Sequence, residues 1–317
     1  MSYDNLSRLA LAAGIALAAY CLLAPADFTV QVILWFSLAA VIATAMRFVM
    51  LIGEFNMATG AFYGIGAYAA GYLTTSYDLP LFVTVIAAGI VAGIVAVALG
   101  YATMRTSGAY FMLISFAFAE IMRLVYVEAD FLGGNNGLLG IFVPAWIEPY
   151  YAGIVVLVCI ALIVAMALVE RSHLGKIFTA IHNKEQVVRS VGINVLAVRV
   201  TCLVIASVCV GVAGGLYAHV ASVISPGDFT FMLSVFALAY VKLGGDKHPV
   251  GPVLGAVILT IVAQMLLGFG SYEQLFYGMV IVGAMLLLPD GLLGRLEQIG
   301  LIRPNPVHAP EKRGSDV

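Results

Sequence analysis

The chain has 317 residues, of which 62% are hydrophobic and 10% charged, with a formal net charge of −2. Soluble domains average about 45–50% apolar and about 25% charged residues, so this chain carries too little charge to cover a water-facing surface. The composition excludes a soluble enzyme, and the lack of a basic excess argues against nucleic-acid binding. Transport, channel activity and intramembrane enzymology remain.

A bilayer core of about 30 Å needs about 20 apolar residues in a helix. Taken in chain order, apolar runs predict spans at 9–24, 30–51, 57–76, 81–103, 108–127, 150–169, 200–220, 229–243, 251–269 and 275–289. The first run follows Arg8 and ends near Ala24-Pro25-Ala26, which resembles a signal peptide; with further spans following at once it reads as a signal anchor. The run at 229–243 is short, and a broken or re-entrant piece is tolerated only where protein or a cavity surrounds it. The expected fold is an all-α integral membrane protein, a polytopic helical bundle of 8–10 transmembrane helices with broken or re-entrant segments. Residues 1–301 read as one transmembrane domain with a loop at 170–199, and 302–317 as a disordered tail that holds Pro304, Pro306 and Pro310.

Charge sets the orientation, because Lys and Arg collect in cytoplasmic loops. The 170–199 loop holds Arg171, Lys176, Lys184, Arg189 and Arg199, five of the fifteen basic residues. The tail adds Arg295, Arg303, Lys312 and Arg313, and the stretch 128–149 has acidic residues and no basic ones. Ten spans with both termini cytoplasmic put every such loop on its expected side.

Within the long loop, Asn183 followed by Gln186 reads as a capping-box start, and Gly192 as the glycine that ends the helix. A two-turn helix from Lys184 to Val191 is predicted, with Val187, Val188 and Val191 as an apolar edge opposite Lys184, Glu185 and Arg189. Such a helix either lies on the membrane surface or docks into a cytoplasmic partner.

The residues at Gly175-Lys176, Ala180-Ile181-His182-Asn183-Lys184-Glu185 and Arg189-Ser190-Val191-Gly192-Ile193-Asn194 resemble the coupling loop of ABC importer permeases, specifically the LivM-type permeases of branched-chain amino acid importers. Other stretches agree in order: Gly53-Glu54-Phe55-Asn56-Met57-Ala58, Ser107-Gly108-Ala109-Tyr110-Phe111, Gly133-Gly134-Asn135-Asn136-Gly137, Gly211-Val212-Ala213-Gly214-Gly215 and Val250-Gly251-Pro252-Val253-Leu254-Gly255. The chain departs from the family pattern at Asn56, His182, Lys184 and Lys247-His248, which leaves the substrate open.

The resemblance implies a permease subunit of the bacterial inner membrane. It implies a second LivH-type permease, two LivG/LivF-type ATPases that use ATP and Mg, and a periplasmic substrate-binding protein that chooses the cargo. The cargo would be branched-chain or other small hydrophobic amino acids; permeases for urea, amides or aromatic acids belong to the same family, and a stand-alone secondary transporter is the competing class. The chain has no G-x-x-x-x-G-K-[ST] phosphate loop, so it is expected to be neither an ATPase nor a binder of a cofactor of its own.

Candidate residues follow. Lys184, Glu185, Arg189 and Gly192 are the coupling candidates, against a plain reading as solvated charges beside the membrane. Asn56, Thr59, Gly60 and Gly64 are path candidates if the glycine-rich helix is kinked open, and a helix-packing stripe otherwise. Glu120 is a path candidate as an ionisable group in a span, or else half of an i, i+3 pair with Arg123. His219, at a span end, reads as interfacial. Cys21, Cys159, Cys202 and Cys209 lie inside apolar runs without Cys-x-x-Cys spacing, which reads as packing and not as disulfides or a metal site.

Overall fold

A computed structural model describes residues 3–23, 27–266, 272–288 and 291–298. The predicted tail at 302–317 lies outside the described residues. The described residues form twelve helices: α1 (Tyr3–Leu23), α2 (Phe28–Met50), α3 (Thr59–Tyr77), α4 (Leu81–Thr103), α5 (Ala109–Glu128), α6 (Glu148–Arg171), α7 (His173–Ser190), α8 (Val195–Ala221), α9 (Phe231–Gly244), α10 (Val250–Leu266), α11 (Glu273–Leu287) and α12 (Gly291–Gln298). The only strands among them are two-residue pieces, β1 (Leu138–Leu139) and β2 (Val223–Ile224), paired antiparallel.

Each of the ten predicted spans falls on one helix, α1 to α6 and α8 to α11. Helices are what such sequences must form, since a bilayer offers the backbone no hydrogen-bond partners. Among the described residues seven segments are long and apolar enough to cross a membrane, and α9 and α10 are apolar but shorter. The 14 residues of α9 reach only about 21 Å as a helix, which is the broken segment that the short run at 229–243 foreshadowed.

The loops alternate between two faces of the bundle, and their contacts show which belong together. On one face, β1 in the α5–α6 loop pairs with β2 in the α8–α9 loop, and Thr74 at the end of α3 meets His219 at the end of α8 (Oγ1···Nε2 3.1 Å). On the opposite face, Arg47 at the end of α2 meets Glu170 at the end of α6 and the Asp246 carbonyl before α10. This second face also carries α7 and is called the α7 face below.

The centre of the bundle is α2, α3 and α8, whose buried residues run almost their full length. The α3–α8 crossing is a backbone-to-backbone contact: a methyl on Gly66 would run into the Gly211 carbonyl, and one on Gly214 into the Tyr63 carbonyl. In lipid no hydrophobic force drives helices together, so close approach through small residues supplies the van der Waals attraction instead. The same device joins α9 to α10, where Gly244 lies on the Gly251 backbone and Gly255 on the Tyr240 carbonyl. Outward faces remain apolar: Ile86, Ile90 and Ile94 of α4, spaced one turn apart, are all exposed, as suits a lipid-facing stripe.

Two expectations need correction. His219 is buried, not interfacial; its second ring nitrogen, Nδ1, pairs with the Gly215 carbonyl (2.9 Å), so both nitrogens are satisfied inside the protein. The helix in the 170–199 loop is also longer than two turns. α7 begins at His173, capped by the Ser172 hydroxyl, which accepts from the Leu174 N–H (3.2 Å). Burial of Gly175, Phe178 and Ile181 at three-residue spacing holds its first half. Phe178 lies edge-on to Phe48 of α2, with centroids 5.7 Å apart. That tertiary contact overrides the poor helix propensity of a stretch holding glycine, threonine and two histidines. The four cysteines are buried, as expected from their apolar setting.

Candidate functional site

The second half of α7 is set apart by a break. Lys184 has non-helical angles (φ −151°, ψ 81°), so the helix runs to Asn183, interrupts, and resumes from Glu185 to Ser190. Gly192 adopts φ +85° and its N–H returns to the Arg189 carbonyl (3.0 Å). A left-handed residue after the last turn is the glycine stop expected from the sequence. Asn194 then caps α8, its side chain accepting from Ala197 N–H (3.2 Å).

Of the three valines, only Val188 faces the protein, packing with Ile181 and Val195. Val187 and Val191, four residues apart and therefore on one face, are 55% and 74% exposed. Lys184, Glu185, Gln186, Val187 and Arg189 line a shallow open cavity beside them. The apolar edge is thus split: one valine anchors the helix and two are left outside.

Glu185 ties this helix to the bundle. It accepts from Arg189 one turn on (2.5 Å) and from Arg199 of α8 (Nη2···Oε2 2.8 Å). The Arg189 pair is open to solvent and contributes little. Arg199 is buried and also lies 3.7 Å from Glu54, in the loop between α2 and α3. Glu54 is buried too and accepts from the Gly108 N–H at the start of α5 (2.8 Å). Burial pushes the Glu54 carboxyl above the usual carboxylate value; the Gly108 N–H and Arg199 oppose that rise and Glu185 adds to it. A second contact reaches the same loop: the imidazole of His182 fills the space where any side chain on Gly53 would sit.

Beyond Glu54 the loop enters the bundle interior. Asn56 closes the turn that leads into α3, its side chain accepting from Ala58 N–H (3.0 Å), and its carbonyl accepts from the Thr59 hydroxyl (2.9 Å). Met57 is held by two serines: its N–H donates to Ser115 of α5 (3.0 Å) and its carbonyl accepts from Ser234 of α9 (2.8 Å). Ser234 Oγ also accepts from Gly60 N–H (2.9 Å).

Asn56, Thr59, Gly60 and Gly64 are all buried. Gly60 lies against Thr230 and Leu233, and Gly64 against Phe229 and Tyr126. In this conformation the glycine stripe therefore packs α3 onto the 229–234 segment. Glu120 pairs with Arg123 (2.9 Å), both partly exposed, and touches none of the other path candidates through that bond. Inside α3, α5 and α8, Tyr68 stacks on Tyr126 (centroids 4.3 Å), while Phe229 meets Tyr63, Tyr68 and Tyr217 edge-on or tilted. These rings fill the middle of the bundle. Among the described residues no group of three or more His, Cys, Asp or Glu could hold a metal ion.

Residues 28–288 match the family described as branched-chain amino acid transport system / permease component. The chain belongs to that permease family. It is 29% identical over 274 residues to the high-affinity branched-chain amino acid transport system permease protein LivM of Salmonella typhimurium and of Escherichia coli K12, covering 77% of this chain. The same alignments span 64% of each LivM protein's own length. The ribose import permease protein RbsC of Haemophilus influenzae is 24% identical over 281 residues, covering 81% of this chain and 83% of its own. No solved structure gives a significant match. The chain is thus a member of a permease family, and its described residues hold seven segments long and apolar enough to cross a membrane.

Within this permease the structure brings Glu185 and Arg189 together and leaves Lys184 and Gly192 at the break and the stop of the same half-helix. Sequence reading missed Arg47, Ser115, Ser234 and the Glu54–Arg199 contact. A signal for Arg47 was present, since it is a lone charge inside the predicted span at 30–51, where an ionisable group is by default functional or structural. Serines in an apolar run carry no such signal, because they bond to the preceding turn equally well.

Proposed function

We propose that this chain is the transmembrane permease subunit of an ATP-driven importer for branched-chain or other small hydrophobic amino acids. It forms half of the path in the bacterial inner membrane, with both termini and the α7 face cytoplasmic. A second LivH-type permease completes the path, two LivG/LivF-type ATPases supply ATP and Mg chemistry, and a periplasmic binding protein delivers cargo. The chain itself binds no cofactor.

The observation that carries this reading is the half-helix Glu185–Ser190, set off by the break at Lys184 and the Gly192 stop, with Val187 and Val191 open. Apolar residues four apart on a short charged helix are the anchors that a partner groove takes up. Hydrogen-bonded linkage of Glu185 to the bundle makes the element a lever as well as a handle. Sugar import is the second reading, favoured by the RbsC match.

The test is uptake in proteoliposomes holding the chain with its partner permease, ATPases and binding protein. Uptake of leucine that requires ATP supports the proposal, uptake of ribose under the same conditions favours the second reading, and uptake by this chain alone without ATP overturns both. Joint replacement of Glu185 by alanine and Gly192 by valine is expected to cut ATP-driven uptake about tenfold while membrane insertion persists. Normal uptake in that double variant would count against α7 as the coupling element.

A further inference from the structure

The charge network extends past the docking half-helix, and its middle member is incompletely paired. Arg199 makes one strong hydrogen bond, to Glu185 at 2.8 Å. Its approach to Glu54, at 3.7 Å, is an ion pair without hydrogen-bond geometry. Its Nε is buried and has no partner at all. A guanidinium offers five donors in a rigid fork suited to gripping a carboxylate with two parallel bonds. A buried donor left unmatched carries the full desolvation cost of that group. Arg199 therefore sits between two carboxylates, bonded to one and short of a full grip on the other.

The two carboxylates belong to elements with different jobs. Glu185 is on the half-helix that presents Val187 and Val191 outward. Glu54 is two residues before Asn56, whose side chain holds the Ala58 N–H at the entry to α3, and three before Met57, whose backbone is held by Ser115 of α5 and Ser234 of α9. Glu54 also accepts from Gly108 at the head of α5. Moving the 53–57 loop therefore moves the starts of α3 and α5 and the serine contact with α9. His182 against Gly53 gives α7 a second hold on the same loop.

We propose that Arg199 is the positioning residue that carries motion of α7 into the bundle, by exchanging its strong hydrogen bond between Glu185 and Glu54. When a docked partner draws Glu185 outward, the guanidinium closes on Glu54, satisfies its idle Nε and pulls the 53–57 loop with it. When Glu185 returns, the loop is released. The inference rests on the reading of α7 as the coupling element and deepens it, naming the residue through which the movement passes.

The experiment uses the full importer in proteoliposomes and reads two quantities: ATP hydrolysed, and cargo taken up per ATP. Glu54→Gln keeps an oxygen for the Gly108 N–H but removes the charge that Arg199 would grip. Arg199→Lys keeps the charge but loses the fork, and it tests the same step should Glu54→Gln fail to fold. Both variants are expected to assemble and hydrolyse ATP at near the wild-type rate while uptake per ATP falls about five- to tenfold, within the usual range of coupling between sites. The double variant is expected to lose no more than either single one, since both interrupt one step; two unrelated packing defects would multiply instead. Unchanged uptake per ATP in both single variants, or multiplied losses in the double variant, would overturn the role of Arg199. A wild-type chain that fails to engage the ATPases at all would overturn the importer reading itself, and is recognised before any variant is compared.

Discussion

Gly214→Ala is expected to destabilise the protein far more than its single added methyl suggests. The methyl would overlap the Tyr63 carbonyl, which belongs to the backbone of α3 and cannot rotate aside. Gly66→Ala produces the mirror-image clash, against the Gly211 carbonyl of α8. Either change forces α3 and α8 apart along a crossing that has no hydrophobic force to restore it. The separation also loosens Tyr63, Tyr217 and Phe229, which pack across the same junction. Overpacking of a well-filled interior costs about 1–3 kcal/mol, and a backbone-on-backbone clash sits at the upper end of that range. The check is thermal unfolding of the purified chain in detergent, with the yield of monodisperse protein. Gly278→Ala is the control. A Cβ there meets nothing within 4 Å, so alanine should leave stability unchanged or raise it through better helix propensity. Equal stability of Gly214→Ala and Gly278→Ala would show that the α3–α8 crossing is looser than the contacts described here.

Arg47→Met is expected to have an effect of similar size for a different reason. Arg47 is 3% exposed and grips Glu170 with two bonds (2.7 and 2.8 Å). Its Nε donates to the Asp246 carbonyl (2.7 Å). One guanidinium thereby joins α2, α6 and the loop between α9 and α10. Removing one partner of a buried pair leaves the other charge uncompensated and costs about 3–5 kcal/mol. Replacing both partners by apolar residues of similar size is often close to neutral, so Arg47→Met combined with Glu170→Met should recover much of the loss. Unfolding temperatures of the two single variants and the double one test this directly. A double variant no better than Arg47→Met would mean that the Asp246 carbonyl, not Glu170, is the partner that matters.

The two effects also separate what could be read along the chain from what could not. The helices at the ten predicted spans were legible, and so were the glycine stop at Gly192 and the Glu120–Arg123 pair one turn apart. These are local matters: run length, turn residues and neighbours on one helix. The break at Lys184 and the helical first half of α7 were not legible, because Phe178 and Ile181 are fixed by contacts with α2 and α8. The split of the valine edge was hidden for the same reason. An apolar edge predicts that something will cover it, but not how much of it the chain's own core will take.

For the candidate site the contrast is sharper. Glu185, Arg189 and Gly192 stood out because a short amphipathic helix in a loop is a local pattern. Arg199 could be counted as a loop charge but not matched with Glu54, 145 positions away in the sequence and brought near only by the fold. Arg47 and Glu170 are likewise 123 residues apart.

The sequence by itself determined that this is a multi-pass helical membrane protein, where its long apolar helices lie, and which loop carries the concentrated charge. Hydrocarbon leaves the backbone no partner but itself, so apolar runs of sufficient length have one outcome. Only the tertiary structure decided which faces of those helices turn inward. Lipid and protein interior are equally apolar, so the periodic contrast that marks the buried face of a soluble helix is weak in these spans. The inward faces are settled instead by where glycines let backbones touch, as at Gly66 and Gly214, and by where the few charges find one another, as Arg199 does between Glu185 and Glu54.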